Sequence, residues 1–429
     1  MAEADHGPPD DARKRRWRLS AMWAELQDNL SDLGVHLWTH WRLILGMAAA
    51  ILLGAGLFAW SGVYSVAATS GHYMFFRTFL SFALRQSVNT HTIGLTAPPL
   101  ADPAMVRRGA GHYQGGCAPC HGAPGQDRNP ITRRMLPEPP YLPPVVETWT
   151  AEKLFWIVRH GIKYAGMPAW VAPERADEVW SVVAFLQRLP GMDIPTYRRL
   201  AFGDVTAASA GAREGLDILL VNGPAGQGIA ACGRCHGIEG AIDESGAFPR
   251  LNGLSEAYLL SALQSYALGT RPSGIMQPVA AELDPAEMRL LAAHYASQVS
   301  DGPAANAVAD PAVLERGARI ALQGLPERSI AACAACHGPN AAPPNPLYPS
   351  LSGQNPRYIA AQLELWMTGV RGNQRDGPLS RVMARAVGVR PDQAPPPREA
   401  LWPLSRDDIA AVAAWYAARS SASGGGVSP

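Results

Sequence analysis

From Trp41 to Tyr64 the chain reads WRLILGMAAAILLGAGLFAWSGVY, an apolar run whose single charge, Arg42, sits at its edge. That length meets the roughly 20 residues a membrane-spanning helix requires. Trp38, Trp41, Trp60 and Tyr64 flank the run as interfacial aromatics do, and the basic cluster Arg13-Lys14-Arg15-Arg16-Trp17-Arg18 precedes it. Basic flanks remain cytoplasmic, so residues 1–40 are expected inside the cell and the remainder outside. The apolar core exceeds the ~7–15 residues of a cleaved signal and follows a long polar lead, which predicts an uncleaved anchor over 41–64. A second apolar stretch, Tyr73 to Leu84, is short and broken by Arg77. It reads as an interfacial or packing helix rather than a second span.

Beyond residue 100 the apolar positions fall at helical spacing and strand alternation is nearly absent. Tyr258, Leu259, Leu263 and Tyr266 lead to Gly269 and Arg271, and Tyr358, Ile359, Leu363 and Trp366 lead to Gly369 and Arg371. Glycine after the last periodic residue marks a helix end. A weaker copy runs from Trp149 through Leu154 and Phe155 to Gly161 and Lys163. Upstream, Asp102-Pro103 with Arg108-Gly109 matches Asp310-Pro311 with Arg316-Gly317, and Arg213-Glu214-Gly215 is a looser middle version. An acidic cap followed by proline starts a helix. Each copy closes with an Ala-rich helix carrying Phe185-Leu186, His294-Tyr295 or Trp415-Tyr416. The repeat predicts an all-α chain, with an N-terminal transmembrane helix followed by three similar units.

All six cysteines lie in three copies of one motif: Cys117, Cys120 and His121; Cys232, Cys235 and His236; Cys333, Cys336 and His337. C-x-x-C-H is the c-type haem attachment sequence. Its two thiols add to the two porphyrin vinyl groups, and the adjoining histidine ligates iron. A thioredoxin-like centre would need one reactive pair beside a βαβ pattern, and a zinc site would need further ligands at short spacing. Neither is present, so the spacing points to three covalently bound c-type haems. Because all cysteines are used, none remains for a disulfide framework.

Composition adds less. Charged residues make up 17%, and 37 Lys+Arg balance 36 Asp+Glu, which argues against a nucleic-acid binder. The 42 glycines and 38 prolines suit loops wrapped around a prosthetic group.

The units resemble class I cytochrome c domains over residues 101–420, with the boundaries 101–192, 193–300 and 301–420 following a linker at 65–100 and preceding a tail at 421–429. The last two are similar to the tandem domains of bacterial two-haem cytochromes c. The first resembles the haem domain of membrane-bound cytochrome subunits of dehydrogenases and oxidases. The resemblance implies crossed first and last helices, with Gly109, Gly215 and Gly317 packing on an aromatic of the partner helix: Tyr295, Tyr416, and in the first unit Phe185 or Leu186. It also implies a proline carbonyl receiving the histidine ring N–H. Pro249 and Pro349 fit that place, while Pro137 to Pro140 offer several candidates in the first unit.

Methionine is the usual second ligand of a c-type electron carrier. Met167 and Met276 occupy Gly/Pro loops similar to the family's ligand loop, and Met383 is the choice in the third unit over Met367, which sits in a helical run. The Pro391–Pro397 stretch extends that last loop. His112, His160 and His294 read as surface or packing residues. Lys163, Arg271 and Arg371 suit either haem propionates or helix C-terminal dipoles. The resemblance implies a one-electron carrier on the periplasmic side of the inner membrane. It would take electrons from a membrane-bound dehydrogenase or quinol oxidoreductase and pass them to a cytochrome or terminal oxidase. A haem enzyme of peroxidase or reductase type, with one displaceable axial ligand, is the alternative.

Overall fold

A computed structural model of the chain describes residues 10–203, 229–241, 245–298, 310–338, 343–373, 376–389 and 403–419. Two compact units emerge, Met1–Gly71 and His72–Pro429. The first is built on α1 (Asp10–Ser61), a single 52-residue helix. Its span His40–Ser61 has a mean hydropathy of 2.2, and it is the one helix among the described residues long and apolar enough to cross a membrane. It stops three residues before the expected Tyr64 because Gly62 takes φ +65°, the left-handed conformation that ends helices.

In the second unit the expected linker contains α2 (Met74–His91). Its C-terminal half is anchored: Val88 is fully buried, Arg85 lies over the Trp149 ring, and His91 meets Trp156 at 5.3 Å. Its N-terminal half exposes Phe75, Phe76 and Phe79.

Around the first CxxCH motif lie α3 (Pro103–Gly116), α4 (Ala118–His121), α5 (Ala151–His160), α6 (Ala176–Leu186) and α7 (Ile194–Phe202). Around the second lie α8 (Ile229–His236), α9 (Glu256–Ala267), α10 (Met276–Ala281) and α11 (Pro285–Ser297). The third has α12 (Pro311–Gln323), α13 (Ala334–His337), α14 (Pro356–Met367), α15 (Pro378–Ala386) and α16 (Arg406–Ala417). Among the described residues, β-structure is limited to isolated bridges such as Ile162–Met167. The fold is all-α.

The expected caps are in place. Asp102 accepts from the Ala104 amide at 3.1 Å and Asp310 from the Ala312 amide at 2.8 Å. Glycine then sets the helix crossings. A Cβ at Gly109 would run into the Ser181 carbonyl and the Phe185 Cβ, and one at Gly317 into the Ala411 carbonyl and the Trp415 Cβ. α3 thus crosses α6 and α12 crosses α16 at backbone contact. In the third segment the residue against the glycine is Trp415, one position before the expected Tyr416; in the first it is Phe185 rather than Leu186. Gly215 lies outside the described residues.

The segments also dock on one another. The Arg250 amide donates to Gln354 Oε1 at 2.8 Å, and Gln354 Nε2 donates to the Arg250 carbonyl at 2.9 Å. Asn355 Nδ2 reaches the carbonyls of Gly246 and Phe248. Arg108 Nε donates to the Ala247 carbonyl, joining the first segment to the middle one.

Candidate haem sites

Each CxxCH motif winds into helix, which brings its two cysteines and its histidine to one end of the turn. The histidine rings are then fixed in the same way three times. Nδ1 of His121 lies 2.9 Å from the Pro140 carbonyl, Nδ1 of His236 lies 3.2 Å from that of Pro249, and Nδ1 of His337 lies 2.8 Å from that of Pro349. A carbonyl oxygen only accepts, so Nδ1 must carry the proton, which makes Nε2 the unprotonated nitrogen, the one with a lone pair suited to a metal. Such a contact orients a ligating imidazole. Pro140 resolves the choice among Pro137 to Pro140. Burial also lowers the pKa of His121 and His337, favouring neutral imidazole.

None of the six cysteines is in a disulfide, and the first of each motif lacks the lowered pKa of a redox or zinc-binding thiolate. Burial pushes the Cys117 thiol up to about 12 and those of Cys232 and Cys333 up to about 11. Reactive or metal-ligating cysteines have lowered values instead. Among the described residues no group of three or more His, Cys, Asp or Glu could hold a metal ion.

A cavity of about 910 Å³ lies against the middle segment, with residues of the first and third segments completing its wall; its size is within the range of cofactor pockets. Cys232, Cys235, His236 and Met276 share its wall, so the structure brings the whole expected ligand set of this segment together. Met276 is the first residue of α10 rather than a loop residue. Met167 stays in a turn, half-buried and tied to Ile162. Met383 sits inside α15, not in a loop, and packs on the same core as Cys333. Met367 is fully buried in that core, as expected of a packing residue. The Pro391–Pro397 stretch lies outside the described residues.

The three cations following the helix-ending glycines separate into two kinds. Lys163 is exposed. Arg271 and Arg371 are buried. Arg271 donates to the hydroxyls of Tyr358 at 2.6 Å and Tyr258 at 3.3 Å. Arg371 lies 3.9 Å over the Trp366 ring, and its buried Nε has no hydrogen-bond partner among the described residues. Burial and the neighbouring Arg271 pull Arg371 down to about 10. Two like charges this deep suit an anion, and haem carboxylates match that chemistry. The donor sets, the cavity and the unpartnered guanidinium nitrogen therefore fit a c-type haem.

His160 and His294 do not join these sets. His294 Nε2 contacts the Ile238 carbonyl at 2.8 Å, and the exposed His160 packs beside Trp156. His112 lies against Trp170 at 4.7 Å and also lines the cavity that holds Cys232, Cys235, His236 and Met276. One residue missed in the sequence is Tyr113, which, like Tyr295 in the middle segment, holds the turn after its motif histidine. Tyr113 donates to the Gly122 carbonyl at 2.6 Å, and Tyr295 donates to the Gly237 carbonyl at 3.1 Å. Tyr113 could have been found by its four-residue spacing from Gly109, which places it one turn along the same face of α3.

Comparison with known proteins bears on the same residues. A family model described as cytochrome c oxidase, cbb3-type, subunit III matches residues 104–186, and a cytochrome c model matches residues 315–417. A thiosulfate dehydrogenase electron acceptor of Stutzerimonas stutzeri is 34% identical over 200 residues, covering 46% of this chain and 83% of that protein. Cytochrome c4 of Azotobacter vinelandii is 33% identical, covering 44% of this chain and 86% of its own length. The chain belongs to the cytochrome c4-like c-type cytochromes. It is an electron-shuttling protein that carries covalently bound c-type haem, and its relatives are electron carriers rather than catalysts. Among solved structures, reduced cytochrome c4 from Pseudomonas stutzeri shares 27% identity over 44% of this chain and 94% of its own, with a TM-score of 0.35.

Proposed function

We propose that this cytochrome is a membrane-anchored relay for single electrons built from three haem domains, residues 101–192, 193–300 and 301–420. Cys117 and Cys120, Cys232 and Cys235, and Cys333 and Cys336 hold the three haems. His121 with Met167, His236 with Met276, and His337 with Met383 supply the axial ligands. The observation that carries this reading is the threefold recurrence of one contact, a motif histidine whose Nδ1–H is spent on a proline carbonyl. Bound haem supplies a reversible one-electron iron couple, and the protein tunes it through ligand, burial and hydrogen bonds.

The span His40–Ser61 anchors the chain in the bacterial inner membrane, and the basic residues before it support haem domains on the periplasmic side. The donor is an oxidoreductase. Relatives described as electron acceptors of thiosulfate dehydrogenase favour a membrane-associated dehydrogenase or quinol oxidoreductase, with a cytochrome or terminal oxidase downstream. Haem quantitation in alkaline pyridine against protein mass tests the count, with three c-type haems per chain expected. Two would overturn the reading.

A further inference from the structure

The last helices of the three segments share a register, set by Phe185, His294 and Trp415 at equivalent places, and each carries an acid at its third position: Glu178, Glu287 and Asp408. Glu287 and Asp408 each close a capping box on their own helix. Asp408 is further paired with Arg316 at 2.7 Å and Arg328 at 2.9 Å. Glu178 departs from this pattern. Its helix begins at Arg175, which makes no side-chain cap, and the carboxylate turns instead to the middle segment. There Glu178 Oε1 accepts from the Ser273 hydroxyl at 2.6 Å and Oε2 from the Gly274 amide at 2.7 Å.

Ser273 and Gly274 lead directly into Met276. The Ser273 oxygen also accepts from the Met276 amide at 3.0 Å, so one chain of hydrogen bonds runs from a carboxylate of the first segment to the backbone of Met276. Arg175 reinforces the grip by donating to the Pro272 carbonyl at 2.8 Å and pairing with Glu178 at 2.9 Å. Trp170, three residues after Met167, packs on Gly274, where a Cβ would collide with the indole. Glu178 and Ser273 are both almost wholly buried, so water does not compete for these bonds and each is expensive to leave unmade.

We propose that Glu178 is a positioning residue for the middle haem: through Ser273 it fixes the turn that leads into Met276 at the start of α10, so that the first segment, docked on the middle one, sets that haem's potential. This rests on the reading of Met276 as an axial ligand. The two methionine loops face each other across this contact, Met167–Trp170 on one side and Ser273–Met276 on the other. A capping acid has been diverted from its own helix to a neighbouring ligand loop. Methionine ligation raises the potential of a c-type haem, and a loosened loop weakens the iron–sulfur bond.

The test uses the full-length holoprotein in detergent. Potentiometric titration and the far-red methionine-to-iron absorption of the oxidised protein are compared for wild type, Met276→Ala, Ser273→Ala, Glu178→Ala and Glu178→Gln. Met276→Ala identifies the midpoint belonging to the middle haem and removes its share of the far-red band. Ser273→Ala and Glu178→Ala are expected to lower that same midpoint and leave the other two in place. Glu178→Gln, which keeps one acceptor oxygen, should give a smaller shift. Unmoved midpoints in both Ser273→Ala and Glu178→Ala would overturn the proposal, as would equal shifts of all three. If Met276→Ala itself alters neither midpoint nor band, the ligand assignment falls, and the positioning role falls with it.

Discussion

The first and third segments solve one packing problem with the same helices and different residues. In both, a glycine lets the first helix touch the last, Gly109 against Ser181 and Phe185, Gly317 against Ala411 and Trp415. One turn after the glycine, α3 carries the large Tyr113 and α12 the small Ala321, while on the last helices Leu186 and Tyr416 hold equivalent register positions. All four are buried. The bulk and the phenol have changed sides. In the first segment the hydroxyl comes from the first helix and reaches the carbonyl after His121. The middle segment brings it from the last helix, through Tyr295. Tyr416 in the third segment holds the same place as Tyr295, yet its buried hydroxyl has no partner among the described residues. A buried tyrosine holds the turn that carries the motif histidine by a hydrogen bond in the first two segments, and in the third its counterpart is buried without that bond. Which helix supplies the tyrosine is free to vary.

The largest test of this equivalence is to exchange the two solutions. Tyr113→Ala alone should cost about 3–5 kcal/mol, the loss typical of a large buried aromatic. Adding Leu186→Tyr should restore a good part of it, because the first segment then has the third segment's arrangement. A double-mutant cycle from denaturant unfolding reads the coupling. A pair whose effects simply add would break the comparison.

Next come the glycines. Gly109→Ala and Gly317→Ala each drive a Cβ into a backbone carbonyl that cannot rotate away, with an expected cost of roughly 1–3 kcal/mol. Similar falls in unfolding midpoint would support a common crossing, and a silent Gly317→Ala would refute it.

Smaller effects separate the hydroxyls. Tyr113→Phe should cost about 1–2 kcal/mol, since it leaves the buried Gly122 carbonyl unpaired. Tyr416→Phe should change stability by less than about 0.5 kcal/mol, because no hydrogen bond is lost. Thermal unfolding of the two variants side by side checks the difference.

The smallest effect is in acid. Although burial opposes it, hydrogen bonds from Ser405 and the Arg316 guanidinium hold Asp408 below the usual carboxylate range. A depressed folded-state value means its stabilisation is present above the unfolded-state value near 3.9 and is lost as pH falls through the folded one. Asp408→Asn should therefore flatten the acid limb of the stability–pH profile. An unchanged acid limb would show that the two arginines do not hold this carboxylate in solution.

Much of this arrangement was legible before any coordinates. Alternation of helical period, proline after an acidic cap and glycine after a helix end depend on neighbours within a few residues, so the caps at Asp102 and Asp310 and the long apolar helix over His40–Ser61 came out as expected. The CxxCH motifs were legible for the same reason, since attachment chemistry fixes the thiol spacing locally. Pro140 was not separable from Pro137 and its neighbours, because a proline-rich turn has no period to count along. Met276 and Met383 were placed in loops but start or occupy short helices, whose few residues leave too little pattern to recognise.

Sequence alone determined the helical class, the long apolar helix, the three CxxCH motifs and the kinship of their surroundings, because each depends on residues close along the chain. Only the tertiary structure decided which carbonyl orients each histidine, which helix supplies the phenol beneath it, and that Glu178 leaves its own helix for Ser273. Those contacts join residues up to 95 positions apart. No local rule says whether an acid at the third position of a helix will close its own cap or a neighbour's ligand loop; the packing of one segment against the next decides it.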